Sequence, residues 1–323
     1  MRTYAPALGL LDVPNARSSH SQPIPRGGGA SIVITVTAIA MVLIVAGAIS
    51  ARTFIVPLLG ALAVAAVGFA DDRYDLSARI RICVHILAAI SVVLWQGDLP
   101  AQPIGPAYVE LGWMGTLVVI VAAVWMLNLF NFMDGIDGIA AMEGTFIFGA
   151  GAALVALAGG PPGLAIFFLG VALANLGFLR WNWPPARIFL GDVGSGYMGY
   201  LVAVAAVIAA KLSVVPLWTW VLLSSVFVGD ATVTLLRRLF RGERLYSAHR
   251  MHAYQHLARR WHSHAKVTAG YLFINVGLIF PLACLSVLRP SLSAPLTLGA
   301  LVFTSGLALF CGAGRRDSDS ARE

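Results

Sequence analysis

The sequence predicts an all-α integral membrane protein of about ten transmembrane helices, and three observations predict it. Apolar residues make up 59% of the 323 and charged residues 11%, against about 25% charged in an ordinary soluble domain. Apolar runs long enough to cross a bilayer recur along the chain. Lys and Arg gather on alternate connections between those runs. A soluble domain of this length could not hide so much apolar surface, which excludes a soluble enzyme, and the same composition excludes a disordered chain. Cys83, Cys284 and Cys311 lie far apart in apolar runs, so neither a disulfide scaffold nor a zinc site is supported. No apolar stretch precedes a small-residue cleavage site at the N-terminus, so no signal peptide is read there.

In order, residues 1–29 are polar and turn-rich. Apolar runs then follow at 30–50, 53–70, 80–95, 114–132, 138–158, 162–179, 196–210, 214–235, 267–287 and 294–312. A lipid-embedded segment must satisfy its own backbone groups, and runs of this length do so as helices. Residues 1–323 read as one polytopic domain, without a repeat or linker, and 237–266 form a long Arg/His loop. Ten spans put both termini on one side. Nineteen of the 22 Lys and Arg residues then share that side, against Arg52, Lys211 and Arg289 on the other, and the positive-inside rule makes it cytoplasmic. Asp71, Asp72, Asp75, Asp134, Asp137 and Asp192 fall on the same side, as do His20, His249, His252, His256, His262 and His264. The opposite face has short links and one longer loop, 96–113. Cytoplasmic loops are therefore expected to form the active site.

Four stretches could carry chemistry. Gly68-Phe-Ala-Asp71-Asp72-Arg73 closes the second run. Adjacent carboxylates repel and are costly to dehydrate, so a divalent cation or a transferable proton would account for the pair, and a solvated helix end is the plainer alternative. In Asn128-Leu-Phe-Asn131-Phe-Met-Asp134-Gly-Ile-Asp137-Gly138, four oxygen-bearing side chains recur every three residues. On a helix they would share roughly one face, an all-oxygen set that suits Mg²⁺. The alternatives are a polar seam between helices and plain Asp-Gly turn chemistry. An alcohol phosphotransferase acting on lipid head groups would carry Ala-Arg after the first Asp-Gly, where this chain has Ile136-Asp137. Gly191-Asp192-Val-Gly-Ser195-Gly opens a run. Asp192 and Ser195 can cap that helix, or its free N–H groups can bind phosphate.

The loop 237–266 clusters Arg237, Arg238, Arg241 and Arg244, then spaces His249, His252, His256 and Arg259 or Arg260 at steps of three or four, a single helical stripe. His-Ala-Tyr-Gln-His lacks the Glu of a metalloprotease motif. A stripe gripping phosphate oxygens fits better, because Arg forks match them, while a segment attracted to anionic lipid is the plainer reading. Because the stripe lies in a polar loop, truncating its members should cost little stability. His85, Glu143 and Asp230 lie in or near apolar runs, where ionisable groups are functional candidates. Asp230, near a cytoplasmic end, is the best of them, and His85 reads as a satisfied interhelical hydrogen bond.

Taken together these residues resemble the polyprenyl-phosphate N-acetylhexosamine-1-phosphate transferases (glycosyltransferase family 4). The matching stretches run in the family's order: Asp12-Val-Pro-Asn-Ala-Arg-Ser-Ser-His20, Pro25-Arg-Gly-Gly, Asp71-Asp72-Arg73, Asn128 to Gly138, Gly191 to Ser195, and the histidine loop. They span roughly residues 10–265. The loop Ala248-His-Arg-Met-His-Ala-Tyr-Gln-His-Leu looks more like the O-antigen-initiating branch than like the peptidoglycan enzyme, whose loop is denser in His and Glu. Two departures stand out. The family usually has one more span before the Asp-x-Pro-Asn segment, so either this chain lacks that helix or its start is set downstream. A lysine often follows the Asp pair, where this chain has Arg79 and Arg81.

The resemblance implies transfer of an N-acetylhexosamine 1-phosphate from a UDP-sugar to undecaprenyl phosphate in the bacterial inner membrane, releasing UMP, to initiate O-antigen or a related envelope polysaccharide. It implies Mg²⁺ as cofactor, with Mn²⁺ as substitute. Asp192 would be the metal ligand, and Asp71, Asp72, Asp134 and Asp137 the catalytic carboxylates. Asn128, Asn131, Arg73, His249, His252, His256, Arg259 and Arg260 would bind substrate. Direct attack and a covalent acyl-phosphate both fit these residues. The expected partners are the two substrates and membrane lipid, without nucleic acid, and a homodimer is among the open assembly states. An ion-coupled transporter, the alternative, would need charges through the membrane midplane with access from both sides, whereas here they gather at one face.

Overall fold

Each of the ten apolar runs folds as helix. The computed structural model describes residues 10–12, 23–110, 112–243 and 249–316. In chain order its helices are α1 (Gly29–Val45), α2 (Ala51–Tyr74), α3 (Ala78–Gln96), α4 (Gly112–Met133), α5 (Ile139–Leu157), α6 (Pro162–Asn182), α7 (Asp192–Lys211), α8 (Leu217–Leu223), α9 (Ser225–Phe240), α10 (Ala253–Trp261), α11 (His264–Ile274), α12 (Phe280–Leu288) and α13 (Ser293–Phe310). Eight spans among the described residues are long and apolar enough to cross a membrane, α11 and α12 counting as one through His264–Leu288. The pair α8 and α9, bent by 75° at Ser224, makes a ninth. The remaining run forms α1, whose 17 residues reach roughly 25 Å, short of a hydrocarbon core about 30 Å thick.

Helix α7 stands at the centre, packed against α1, α2, α3 and α4. Its residues from Val193 to Ala205, large Tyr197 and Tyr200 included, and then Val207 to Ala210 are buried, the pattern of a helix apolar all round. The outer helices α3, α4 and α13 instead leave Leu87, Leu94, Leu117, Val118, Val302 and Phe310 exposed, as a lipid-facing surface requires. Between α11 and α12 a π-helical turn, Asn275–Ile279, precedes Pro281, whose missing N–H ends the regular ladder. There Asn275 Nδ2 donates to Glu143 Oε2 at 2.6 Å, joining this span to α5 inside the bundle.

Because the chain reverses at each link, the starts of α1, α3, α5, α7 and α11 share one end of the bundle with the finishes of α2, α4, α6, α9 and α13. A short ribbon, β1 (Leu11–Asp12) against β2 (Ile24–Pro25), lies at this end. At the opposite end the 96–113 loop forms a hairpin, β3 (Gln102–Ile104) against β4 (Ala107–Val109).

Candidate active site

The last turn of α2 meets the first turn of α7. Asp72 accepts the N–H of Asp192 at 2.9 Å and of Val193 at 3.1 Å. It therefore caps α7 from another helix, supplying acceptors that α7's own residues do not. Gly191, at φ +76°, has no side chain because a Cβ there would strike the Asp72 carboxylate. Both N-terminal readings of this motif are thus answered by a third: the free N–H groups hold a carboxylate from elsewhere in the fold. Asp71 accepts from Leu76 N at 2.7 Å and pairs with Arg81, which also reaches Asp192 Oδ2 at 3.0 Å. Arg26 joins Asp12 at 3.1 Å and stands 3.8 Å from Asp72. Asp72 is wholly enclosed while the Asp192 side chain is 30% exposed, so of the two Asp192 is the one a ligand can touch. Arg73 is exposed and lies over the Tyr74 ring, 5.1 Å from its centroid.

The 128–138 stretch does not continue as one helix. α4 ends at Met133, and Gly138 at φ +80° starts α5, so Asp134 and Asp137 sit in the turn between. Asn128 and Asn131 stay on α4, where Asn131 Nδ2 donates to Ser195 Oγ at 3.2 Å. Asp134 lies among carboxylates: desolvation, then the charges of Asp192 and Asp72, holds its carboxyl well above the usual range. Asp137 accepts from Ala186 N at 3.1 Å and lies 3.4 Å from His264 Nδ1. Gly138 N donates to Asn182 Oδ1 at 3.0 Å. These bonds tie the turn to the 183–191 link and to α11.

The histidine loop is built on Asp230. This carboxylate, buried in α9, accepts the N–H of Ala253 at 2.9 Å and of Tyr254 at 3.1 Å, lies 3.3 Å from His252 Nδ1, and accepts Tyr271 O–H at 3.0 Å. It caps α10 as Asp72 caps α7. Asp230, singled out in the sequence as an intramembrane acid, is thus the anchor of the loop. The expected single stripe divides: His249 precedes the helix, His252 is its buried N-cap, and His256, Arg259 and Arg260 lie on α10. The expectation that truncating any of them costs little stability does not hold for His252, whose ring lies between His249 and Tyr254. Tyr254 O–H in turn donates to Phe132 O at 3.0 Å, and a Cβ on Gly135 would collide with that hydroxyl. Arg259 lies 3.0 Å from His256 Nδ1, and Arg260 is exposed. Burial, then His252 and Arg238, pushes the His249 imidazole down to about 3, so at neutral pH it stacks on His252 as an uncharged ring.

Two cavities border this cluster. The larger, about 1180 Å³, is lined by Arg26, Asp137, His249, Arg250, Arg259 and His264 among others. The smaller, about 100 Å³, lies between α2, α3, α4 and α7 and is lined by Arg81, His85, Asn128, Asn131 and Asp192. Among the described residues no group of three or more His, Cys, Asp or Glu is arranged to hold a metal by itself. Mg²⁺ needs no such cage, since one or two carboxylates with substrate phosphates and waters suffice. The carboxylate of Asp192, part-exposed and lining the small cavity, fits that requirement. Arg26, Arg81, Gln255 and His264 join the site without having been singled out for it. Arg26 and Arg81 were legible as the cations nearest the Pro-Arg-Gly-Gly and Asp-Asp motifs. Residues 13–20 of the N-terminal motif, with His20, lie outside the described residues.

Comparison with known proteins bears on the same residues. The model for glycosyl transferase family 4 matches residues 54–210, a range that holds the Asp pair, the 128–138 stretch and the Gly191–Gly196 motif. A probable undecaprenyl-phosphate N-acetylglucosaminyl 1-phosphate transferase of Bacillus subtilis is 30% identical over 88% of this chain and 79% of its own length. A decaprenyl-phosphate N-acetylglucosaminephosphotransferase of Mycobacterium tuberculosis is 28% identical over 99% of this chain and 86% of its own. A phospho-N-acetylmuramoyl-pentapeptide-transferase of Halalkalibacterium halodurans is 26% identical, over 79% and 81% respectively.

Proposed function

This chain belongs to glycosyl transferase family 4, among its polyprenyl-phosphate N-acetylhexosamine-1-phosphate transferases, and from that premise we propose that it transfers N-acetylglucosamine 1-phosphate from UDP-N-acetylglucosamine to undecaprenyl phosphate, releasing UMP. It is a multi-pass membrane phosphotransferase, and its active face is the cytoplasmic face of a bacterial inner membrane. The product starts O-antigen or a related envelope polysaccharide, a reading supported by the 249–257 loop, which carries His249, His252 and His256 but no Glu.

One observation carries the proposal: motifs scattered from Arg26 to His264 meet at one end of the bundle, around a large polar cavity and a small one bordered by lipid-facing helices. The donor's pyrophosphate and uridine fit the large cavity, where Arg26, Arg250 and Arg259 offer cationic hydrogen-bond donors. The lipid phosphate fits the small pocket beside Arg81. An oxygen of that phosphate attacks the phosphorus bearing the sugar. The bond from this phosphorus to the bridging oxygen breaks, and UMP leaves with the electron pair. Direct attack is favoured because Asp72 spends both oxygens on backbone N–H groups and Asp71 is held by Leu76 and Arg81. Asp192 would hold Mg²⁺, which when bound supplies positive charge to phosphate oxygens in phosphoryl transfer. Asp71 acts as a positioning residue through Arg81. His256 and Arg259 support the cavity wall, and Asn131 fixes Ser195 at the first turn of α7.

The test is purified protein with undecaprenyl phosphate, Mg²⁺ and a panel of UDP-sugars, read by UMP release. UMP is expected when both the lipid phosphate and UDP-N-acetylglucosamine are present. Its absence with every UDP-N-acetylhexosamine would refute the proposal.

A further inference from the structure

We propose that His85 is a binding residue for the lipid acceptor, donating its ring N–H to a phosphate oxygen in the small pocket; the inference rests on the transferase reading above. His85 lies on α3 one turn beyond Arg81, and residues four apart on a helix share a face. It is 8% exposed, and Nδ1 has no hydrogen-bond partner among the described residues. The interhelical hydrogen bond expected from the sequence is therefore not made, so no protein partner fixes the tautomer and the single N–H can stand on Nε2, the nitrogen on the Gly196 side.

The other polar side chains around this pocket are already engaged. Asn128 donates to Val124 O at 2.7 Å, Asn131 to Ser195 Oγ at 3.2 Å, and Arg81 is shared between Asp71 and Asp192. Two further features aim His85 at the guest. Its Nε2 edge faces Gly196, another lining residue, at 4.0 Å from where a Cβ would stand. At about 100 Å³, against about 1180 Å³ for the larger cavity, the pocket suits a phosphate group and is too small for a nucleotide sugar. A neutral imidazole carries one N–H, and a hydrogen bond to an anionic oxygen is stronger than one to water.

Three variants test this: His85→Leu removes the donor, His85→Gln keeps one, and Gly196→Ala sets a methyl over Nε2. That methyl meets Val64 at 3.5 Å, an ordinary contact, and favours helix, so this variant should fold at least as stably as wild type. The KM for undecaprenyl phosphate should rise roughly tenfold or more in His85→Leu and Gly196→Ala, the scale of losing one hydrogen bond to a charged group. The KM for the UDP-sugar should stay within about twofold, and His85→Gln within about threefold of wild type for both substrates. Retention of undecaprenyl phosphate in native mass spectrometry should fall in the same order. An unchanged lipid KM in both His85→Leu and Gly196→Ala, an equal rise in donor KM, or a His85→Gln as impaired as His85→Leu would overturn the assignment. If wild type releases no UMP the transferase reading fails, and the ratio of lipid retained by wild type and His85→Leu still decides the role of His85. If His85→Leu does not fold, Gly196→Ala decides it.

Discussion

At the scale of single residues, the carboxylates of this site divide by what their oxygens already hold. Asp72 is enclosed and spent on α7, whereas Asp192 keeps surface of its own. Asp192→Asn preserves shape while removing the anionic charge, so transfer should fall roughly 10²-fold or more, on the scale of one key electrostatic group. UMP release would measure it, and full activity after EDTA treatment would remove the case for Mg²⁺. His249 allows a pH prediction. Its imidazole stays neutral down to about 3 in the folded chain, against an ordinary value of 6.5. Between those values the unfolded chain binds more protons, so stability drops as pH falls through that window. His249→Gln should flatten this acid-side decline in thermal melts taken from about pH 4 to about pH 7, and an identical slope would show that the ring does not contribute. Asp192 and Asp134 were legible because acids beside apolar runs need a reason. The partnership of Arg81 with Asp192, 111 residues away, was not, since no local pattern encodes it.

At the scale of elements, the recurring device is a helix whose start is capped by a carboxylate from another helix. Asp230→Ala should release the first turn of α10 and leave the Ala253 and Tyr254 N–H groups unsatisfied. Each such group costs about 1–3 kcal/mol, so melting should fall by several degrees, whereas Arg260→Ala on the exposed face should melt with wild type. Equal melts for the two variants would contradict the anchoring role. Helix existence was legible throughout, because apolar runs of bilayer length have few other solutions. The ends were not. The stripe at 249–260 was read as one helix, yet α10 begins only at Ala253, where Asp230 supplies acceptors. The three-residue repeat of 128–137 likewise broke at Met133, because the Gly135 and Gly138 positions serve the Tyr254 hydroxyl and the left-handed start of α5.

At the scale of the whole molecule, 19 of the 22 basic residues lie on one side of the ten-run arrangement. A reporter fused to the C-terminus should therefore be active in the cytoplasm and silent in the periplasm, and the reverse would refute the orientation. Overall architecture was legible from composition and run length, while the bend between α8 and α9 was not, since both halves read as one apolar run. The contrast between α7 and α10 also has a consequence in time. α7 is surrounded by other helices, and its amides open to solvent only when the bundle itself comes apart. α10 is nine residues long and is fastened chiefly by Asp230 and Tyr254, so its amides should exchange through a smaller, local opening. Deuterium should enter the 253–261 backbone well before that of 196–208, and a bound nucleotide sugar should slow the first without touching the second. An inhibitor bridging the two would then dissociate at a rate set by how often α10 lifts, so weakening its fastening would shorten residence time even where every contact to the compound is preserved.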